Sequence, residues 1–422
     1  MYLSLSKSQR DAVDKIEQGS NVFITGPAGT GKSYLLSFLK EEYLGKGLHI
    51  TASTGIAAVN VGGTTLHSWA GLGLGNIPLP EMLKNIFSAR GSRLRRKIKQ
   101  AKMLAIDEIS MISAGLFNLL DEYLQNVREN NEPFGGLQLI LFGDFLQLPP
   151  VVRRGEVEFC FESDAWKSGE FEKVILTEVF RQEDKRFIEL LDNIRFGKIV
   201  KEDMVLLKSR YKAEDKNAVI KPTILSTHNA IVYDINHEKL KFLPSMERKF
   251  TAGFEGQMKK VEFLKKNCIA PETLTLKIGA QVMMLKNTYK SSGIINGSVG
   301  IIRKFSLKKH YPIVEFTNGE LLTIPPEEWV LQRFDERKKE VITDAKMTQI
   351  PLSLAWAVTV HKSQGMTLDK AECDLGRSFA DGQIYVALSR VRSLDGLFIK
   401  SFNVNNIKVN SKVIEFYKEF KE

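Results

Sequence analysis

The chain has 422 residues, 43% of them hydrophobic and 26% charged, a balance that reads as globular with room for two to four domains. No run approaches the roughly eighteen apolar residues of a membrane span, and Met1-Tyr2-Leu3-Ser4 lacks the basic-then-apolar layout of a signal peptide, so a cytoplasmic protein is expected. Cys160, Cys268 and Cys373 are too few and too scattered for a disulfide framework or a zinc site, and the net charge of +10 favours a polyanionic partner without proving one.

In chain order, Ser6 is placed to cap a helix running through Glu17 and closed by Gly19. An apolar strand at Asn21–Thr25 leads into Gly26-Pro27-Ala28-Gly29-Thr30-Gly31-Lys32-Ser33, which fits G-x-x-x-x-G-K-[ST] at every fixed position. Its glycines let successive N–H groups turn inward onto phosphate oxygens, and the helix that follows, to about Lys46, adds its positive end. Lys32 is the side chain to reach the outer phosphates, and the Ser33 hydroxyl is a ligand for Mg²⁺. The expected nucleotide is ATP.

A strand at Leu48–Ala52 precedes Thr51–Ala58, and then comes Gly62–Trp69, rich in hydroxyls. Such loops suit phosphate and sugar contacts, and by spacing alone they suit helix caps and turns as well. His67 has no second His or Cys at ligand spacing, so no metal is expected there. The basic run from Arg90 to Lys102 reads as a solvated helix face or as a phosphate contact. Met103–Ile106 is a buried-type strand ending in Asp107-Glu108. There Asp107 can hold the Mg²⁺ shell and Glu108 can polarise the attacking water. Gln138–Phe142 is another such strand, followed by Gly143–Pro150, where Gln147 is placed to meet the γ-phosphate or the water.

A second α/β set is expected from Lys173–Leu176 onward, with strands at Thr223–Leu225, Glu372–Leu375 and Leu397–Ile399. Between them lies a stretch Glu238–Lys266 expected to be flexible or helical. Short β-like runs follow at Gln281–Leu285, Ser298–Ile302, Ile313–Phe316 and Leu321–Ile324, with hairpin dipeptides Asn296-Gly297 and Asn318-Gly319. Arg181 and Arg390 are lone arginines of the kind usually found on a surface; only a family resemblance makes them guanidiniums that meet the γ-phosphate from the second domain. Thr359–Gly365 is a hydroxyl- and cation-bearing loop that matches the loops of the first half.

The order GPAGTGKS, ASTGIAA, TTLHSWAG, IDEISM, GDFLQLPP, VFRQ, AVTVHKSQGMT and YVALSRVR, over about residues 3 to 400, resembles the Pif family of superfamily 1 DNA helicases, related to RecD-type helicases. The Pro133-Phe134-Gly135-Gly136 stretch is similar to that family's own signature. The resemblance implies two RecA-like parallel-sheet α/β domains. The first, residues 1–175, would carry a small wedge insertion at about 61–80. The second, 176–273 with 351–422, would carry an SH3-like β-barrel insertion at 274–350. The resemblance also implies that Gln9 contacts adenine and that Gly365 joins the nucleotide site. It implies that Thr54, Gly55, Thr65, His67, Ser68, Asn229, Thr359, His361 and Lys362 touch single-stranded DNA. The implied activity is ATP-dependent 5′-to-3′ translocation and unwinding at single-strand/duplex junctions, extending to G-quadruplexes or R-loops, in replication, repair, recombination or telomere maintenance, by a monomer. The alternatives are an ATPase that remodels nucleoprotein without separating strands, and a nucleotide-gated signalling module.

Overall fold

The computed structural model describes residues 2–73, 77–150, 156–213, 219–226, 228–335, 338, 340–374 and 380–420. Val22–Thr25 (β1) is buried at every position, as a strand covered on both faces must be. Around it stand Leu48–Ala52 (β2), Thr64–Thr65 (β3), Met103–Asp107 (β4), Gln138–Phe142 (β5) and Glu172–Ile175 (β6). They form one sheet in the order β3-β2-β4-β5-β1-β6, every pairing parallel. β6 corrects one expectation. Glu172–Ile175 does not open the second α/β set but pairs with β1, Ile24 opposite Val174. Its sequence has no feature that names its partner; only the free edge of β1 does.

The helix Lys7–Glu17 (α1) starts at a capping box in which Ser6 and Gln9 satisfy each other's backbone N–H. Lys32–Tyr43 (α2) begins directly at the phosphate loop, with Gly31 at φ +85° as its N-cap. The loops after β1, β4 and β5 therefore leave the same edge of the sheet, where ligands of parallel α/β sheets bind.

The second sheet is also parallel, in the order 357–359, 223–226, 371–374, 397–401. Leu375, the expected end of its third strand, lies outside the described residues, as do residues 74–76 of the expected wedge. Strand Ala357–Thr359, only three residues long, carries no sequence signal of its own.

The β-rich insertion is antiparallel. Five strands run 321–323, 312–316, 299–305, 281–284, 352–354, and three more run 327–335, 340–349, 253–256. Asn296-Gly297 and Asn318-Gly319 make turns, with the glycines at φ +99° and +86°. Strand pairing carries this body past 274–350 on both sides. Glu238–Lys266 is not simply helical or flexible, for Arg248–Thr251 pairs with Thr273–Leu276 and Gly253–Gly256 joins the three-stranded sheet. Exposed strands of this kind are set by their partners, not by their own periodicity.

The C-terminal helix Ser411–Lys418 follows the second sheet in sequence, yet packs on the first domain. Val413, Phe416 and Tyr417 share a core with Phe23, Phe145 and Trp166, and the Phe416 ring stacks on Phe161 at 4.3 Å.

Candidate active site

The phosphate loop joins β1 to α2, and Lys32 folds back along it. Its Nζ donates to the carbonyls of Gly26 at 2.7 Å and Pro27 at 3.0 Å. Burial pushes this amine down to about 8, with Asp144 and Glu108 opposing and Arg195 and Arg181 reinforcing. Gly29 sits at φ +86°, and a Cβ there would lie 2.7 Å from Cβ of Arg181. The loop thus needs glycine both for its turn and for this close approach.

Asp107 ends β4 and Glu108 follows it in left-handed backbone, φ +55°. That conformation costs a non-glycine residue on the order of 1–2 kcal/mol and turns the Glu108 side chain into the cleft. Glu108 N donates to Asp107 Oδ1 at 2.9 Å. Desolvation, the largest influence on each, raises both carboxyls; Lys32 opposes it in both, and Arg390 and Gln364 also oppose it at Glu108. Glu108 lines the same cleft as the Ser33 hydroxyl, whereas Asp107, buried at the end of its strand, is not among the residues that line it; the oxygen donors of Ser33 and the two acids are of the hard kind that a divalent cation such as Mg²⁺ prefers. Among the described residues no cluster of three or more His, Cys, Asp or Glu is arranged around one point. A hard ion would therefore complete its shell with phosphate and water oxygens.

Gln147 reaches the cleft from the turn after β5. Its backbone N–H donates to Asp144 O at 2.9 Å and its Nε2 to Asp144 Oδ2 at 3.3 Å. Asp144 is itself buried, and although burial alone would raise its carboxyl, Arg195 holds it below the usual range.

Lys32, Ser33, Glu108, Gln147, Arg181 and Arg390 all line one cleft of about 270 Å³. Arg390 arrives from the second domain, after the helix Gln383–Leu388, and donates to Val386 O and Ser389 Oγ, each at 2.9 Å. Arg181 stands differently from the sequence expectation. Its backbone belongs to the segment that leaves β6 and lies against the phosphate loop, with Phe180 N donating to Gly29 O at 2.9 Å. Its side chain crosses to the second domain, bonding Thr367 Oγ1 at 3.1 Å and Ser389 O at 2.9 Å. Burial and then Arg390 push its guanidinium down to about 9. Neither arginine has an ion-pair partner among the described residues. Two adjacent buried cations, with only the more distant Glu108 carboxylate acting on Arg390, are costly unless an anion completes them.

Gln9 does not line the cleft. It is 1% exposed beneath the loop, where Oε1 accepts from Ser6 N and Nε2 donates to the carbonyls of Gly31 and Thr30 at 3.4 and 3.5 Å. Gly365, at φ +81°, does line it.

The expected DNA contacts fall into two patches. Thr54 follows β2 and Thr65 ends β3, and both hydroxyls cap short helices, accepting from Ala57 N and Ser68 N at 3.2 Å. The capping alternative is thus realised for both. Ser68 is exposed, and His67 is half-buried with its imidazole pushed down by desolvation. Gly55 is covered, because the side chain of Asn267, at the end of the helix Met258–Asn267, sits where a Cβ would go. On the second sheet, Thr359 is buried and its hydroxyl accepts from Lys362 N at 3.3 Å. His361, Lys362 and Asn229 are exposed at the carboxyl ends of the neighbouring strands 357–359 and 223–226.

Sequence reasoning missed four residues. Tyr385 accepts Ala28 N at 2.8 Å, and Gln364 lines the cleft with Glu108, its Nε2 buried without a hydrogen-bond partner among the described residues; both lie inside quoted motifs, so position could have flagged them. Arg195 and Tyr417, which bind Asp144, lie in ordinary amphipathic helices with no local signal.

Comparison with known proteins gives a consistent picture. The PIF1-like helicase family model matches residues 4–204, and the model of the DNA helicase Pif1 2B domain matches 261–305. The ATP-dependent DNA helicase PIF1 of Danio rerio is 40% identical over 421 residues, covering 99% of this chain and 64% of the relative. The chain therefore spans a little under two thirds of that relative's length. The crystal structure of Bacteroides sp Pif1 in complex with ADP-AlF4 has TM-score 0.87 and 32% identity, covering 99% of this chain and 97% of that one. The Bacteroides Pif1 structure bound to ssDNA has TM-score 0.65 and 33% identity with the same coverage.

Proposed function

This chain belongs to the PIF1-like helicase family, and we propose that it is an ATP-dependent DNA helicase that moves 5′ to 3′ on single-stranded DNA and opens duplexes at junctions. The observation that carries the reading is the single cleft that gathers Lys32, Glu108 and Gln147 from the first domain with Arg390 from the second.

The chemistry follows from those positions. Lys32 exchanges its Gly26 and Pro27 carbonyls for phosphate oxygens. Ser33 and Asp107 would hold Mg²⁺, which supplies charge neutralisation between the outer phosphates when bound. Glu108 accepts the proton of the attacking water, while Gln147 turns its amide to the γ-phosphate that this water attacks. Arg181 and Arg390 take up the charge that develops on the transferred phosphoryl group. Because Arg390 rides on the second domain, the presence of the γ-phosphate draws that domain in, and its loss lets the domain go. The two patches bearing Thr54, Gly55, Thr65, His67 and Ser68, and Asn229, Thr359, His361 and Lys362, would hold the strand by its backbone and step along it.

Asn267 covers Gly55 in this arrangement, and the likeness to the strand-bound relative is lower than to its nucleotide-analogue complex. Both observations support a movement of the helix Met258–Asn267 and its β-body before the strand engages. Both walls of the cleft come from one chain, which supports a working monomer. No described helix is long and apolar enough to cross a membrane; a cytoplasmic, DNA-associated location is the reading adopted.

The test uses two substrates, one duplex with a 5′ tail and one with a 3′ tail. Unwinding of the 5′-tailed duplex alone is expected. ATP turnover that single strands stimulate, with neither duplex opened, would replace helicase by translocase. Turnover indifferent to DNA would remove nucleic acid from the reading altogether.

A further inference from the structure

Three separate chain segments meet at the carboxylate of Asp144. In its own turn it accepts Leu146 N at 3.2 Å and Gln147 Nε2 at 3.3 Å, so it shapes the turn that presents Gln147. From the second domain, Arg195 at the end of the helix Lys185–Arg195 meets it as a fork, Nε to Oδ2 and Nη2 to Oδ1, both at 3.0 Å. From the C-terminal helix, Tyr417 donates its hydroxyl to Oδ1 at 3.1 Å.

The Tyr417 hydroxyl is fully used. Having given its proton to Asp144, it accepts Phe145 N at 3.3 Å and the hydroxyl of Thr25 at 2.7 Å. Thr25 is the last residue of β1, immediately before the phosphate loop. The network therefore runs from the base of that loop, through Tyr417 and Asp144, to the second domain. Among the described ion pairs, Arg195–Asp144 is the one buried on both sides, with side chains 5% and 0% exposed.

A buried ion pair is a poor device for stability, because desolvation consumes most of its Coulomb energy. Its strength is geometry. Two parallel bonds fix the angle between guanidinium and carboxylate, so a rotation of one carrier is felt by the other. Gln147 and Arg195 also share one acceptor, Oδ2 of Asp144. When the Gln147 amide turns toward a phosphate it leaves that oxygen, and Arg195 is left as its remaining partner.

We propose that Asp144, Arg195 and Tyr417 are positioning residues that pass the state of Gln147 to the second domain. With Gln147 on the nucleotide, Oδ2 of Asp144 is left to Arg195 while Oδ1 keeps Leu146 N and Tyr417, and the helix Lys185–Arg195 is drawn toward the cleft. With Gln147 back on Asp144, the grip is shared and the second domain is released. This rests on the assignment of Gln147 to the γ-phosphate in the reading above.

The experiment compares wild type with Tyr417→Phe, which removes one hydroxyl from a retained ring, and Arg195→Lys, which keeps the charge and loses the fork. Dyes on cysteines introduced at the exposed Glu41 and Lys208, in a Cys268→Ser background, report domain closure when ADP with aluminium fluoride is added. For both variants, strand-stimulated kcat and KM for ATP are expected within about threefold of wild type, with base pairs opened per ATP down about fivefold or more. The closure signal should shrink in the same order, Arg195→Lys more than Tyr417→Phe. Equal losses of turnover and unwinding, or an unchanged closure signal, would overturn the relay. If wild type closes on the analogue yet opens no duplex, the helicase reading fails and the relay is decided by the closure signal alone.

Discussion

Replacing Arg390 by alanine should destroy turnover and spare the fold, and the two effects can be sized separately. The residue is 2% exposed, its bonds go to one carbonyl and one hydroxyl, and the charges it feels include Arg181 and Glu108. Removing it gives up two charge-assisted hydrogen bonds of about 1.5–3 kcal/mol each. It also relieves a desolvation penalty of several kcal/mol and the repulsion of Arg181. The terms nearly cancel, so nucleotide-free stability should change by no more than about 2 kcal/mol. Catalysis has no such compensation. Loss of an arginine that meets the transferred phosphoryl group costs on the order of 10³ in kcat, about 4 kcal/mol. KM for ATP should stay within a few fold, since the phosphate loop is untouched. Arg390→Lys should not restore turnover, because an ammonium lacks the fork. The assay is steady-state ATP hydrolysis at saturating single-stranded DNA, paired with thermal unfolding without nucleotide. Turnover within about tenfold of wild type would refute the assignment, as would an unfolding temperature lowered by more than about 10 °C, which would make Arg390 a structural residue.

Three further outcomes are expected. Lys32→Ala should abolish ATP turnover and leave affinity for single strands largely intact; unwinding by this variant would dismiss the site. His361→Ala combined with Lys362→Ala should weaken strand binding and flatten its dependence on salt, because fewer counterions are released, and an unchanged slope in a titration from low to high salt would place these residues elsewhere. Lys97 donates to Trp69 O at 2.6 Å, and its amine is pushed down to about 7 by burial and by Lys260 and Arg333, against Asp344. The folded state thus sheds this proton while the unfolded state still holds it. Stability should therefore rise with pH from about 7 towards the ordinary lysine range, measured as the urea midpoint of wild type relative to Lys97→Met. A gap between the two that stays flat over that window would contradict the burial of the amine.

Much of this protein was legible in the order of its residues. The phosphate loop, Asp107-Glu108 and Gln147 each follow a short apolar strand, and that local pattern was enough to place them at one edge of a parallel sheet. The turn glycines at 297 and 319 were legible for the same reason, since a left-handed backbone is a demand of the residue itself. What local pattern could not supply was partnership. Glu172–Ile175 became a strand beside the free edge of β1, far away in sequence, and Arg248–Thr251 because Thr273–Leu276 pairs with it. Arg181 was visible as a cation, but only the packed chain shows it leaving the first sheet and reaching into the second. Arg195 and Tyr417 look like any residues of amphipathic helices until Asp144 is brought between them. Backbone conformation and strand burial are written within a few residues and can be read there. The junction of the two domains is a meeting of side chains more than 50 and more than 250 positions apart, and no periodicity records which of them will meet.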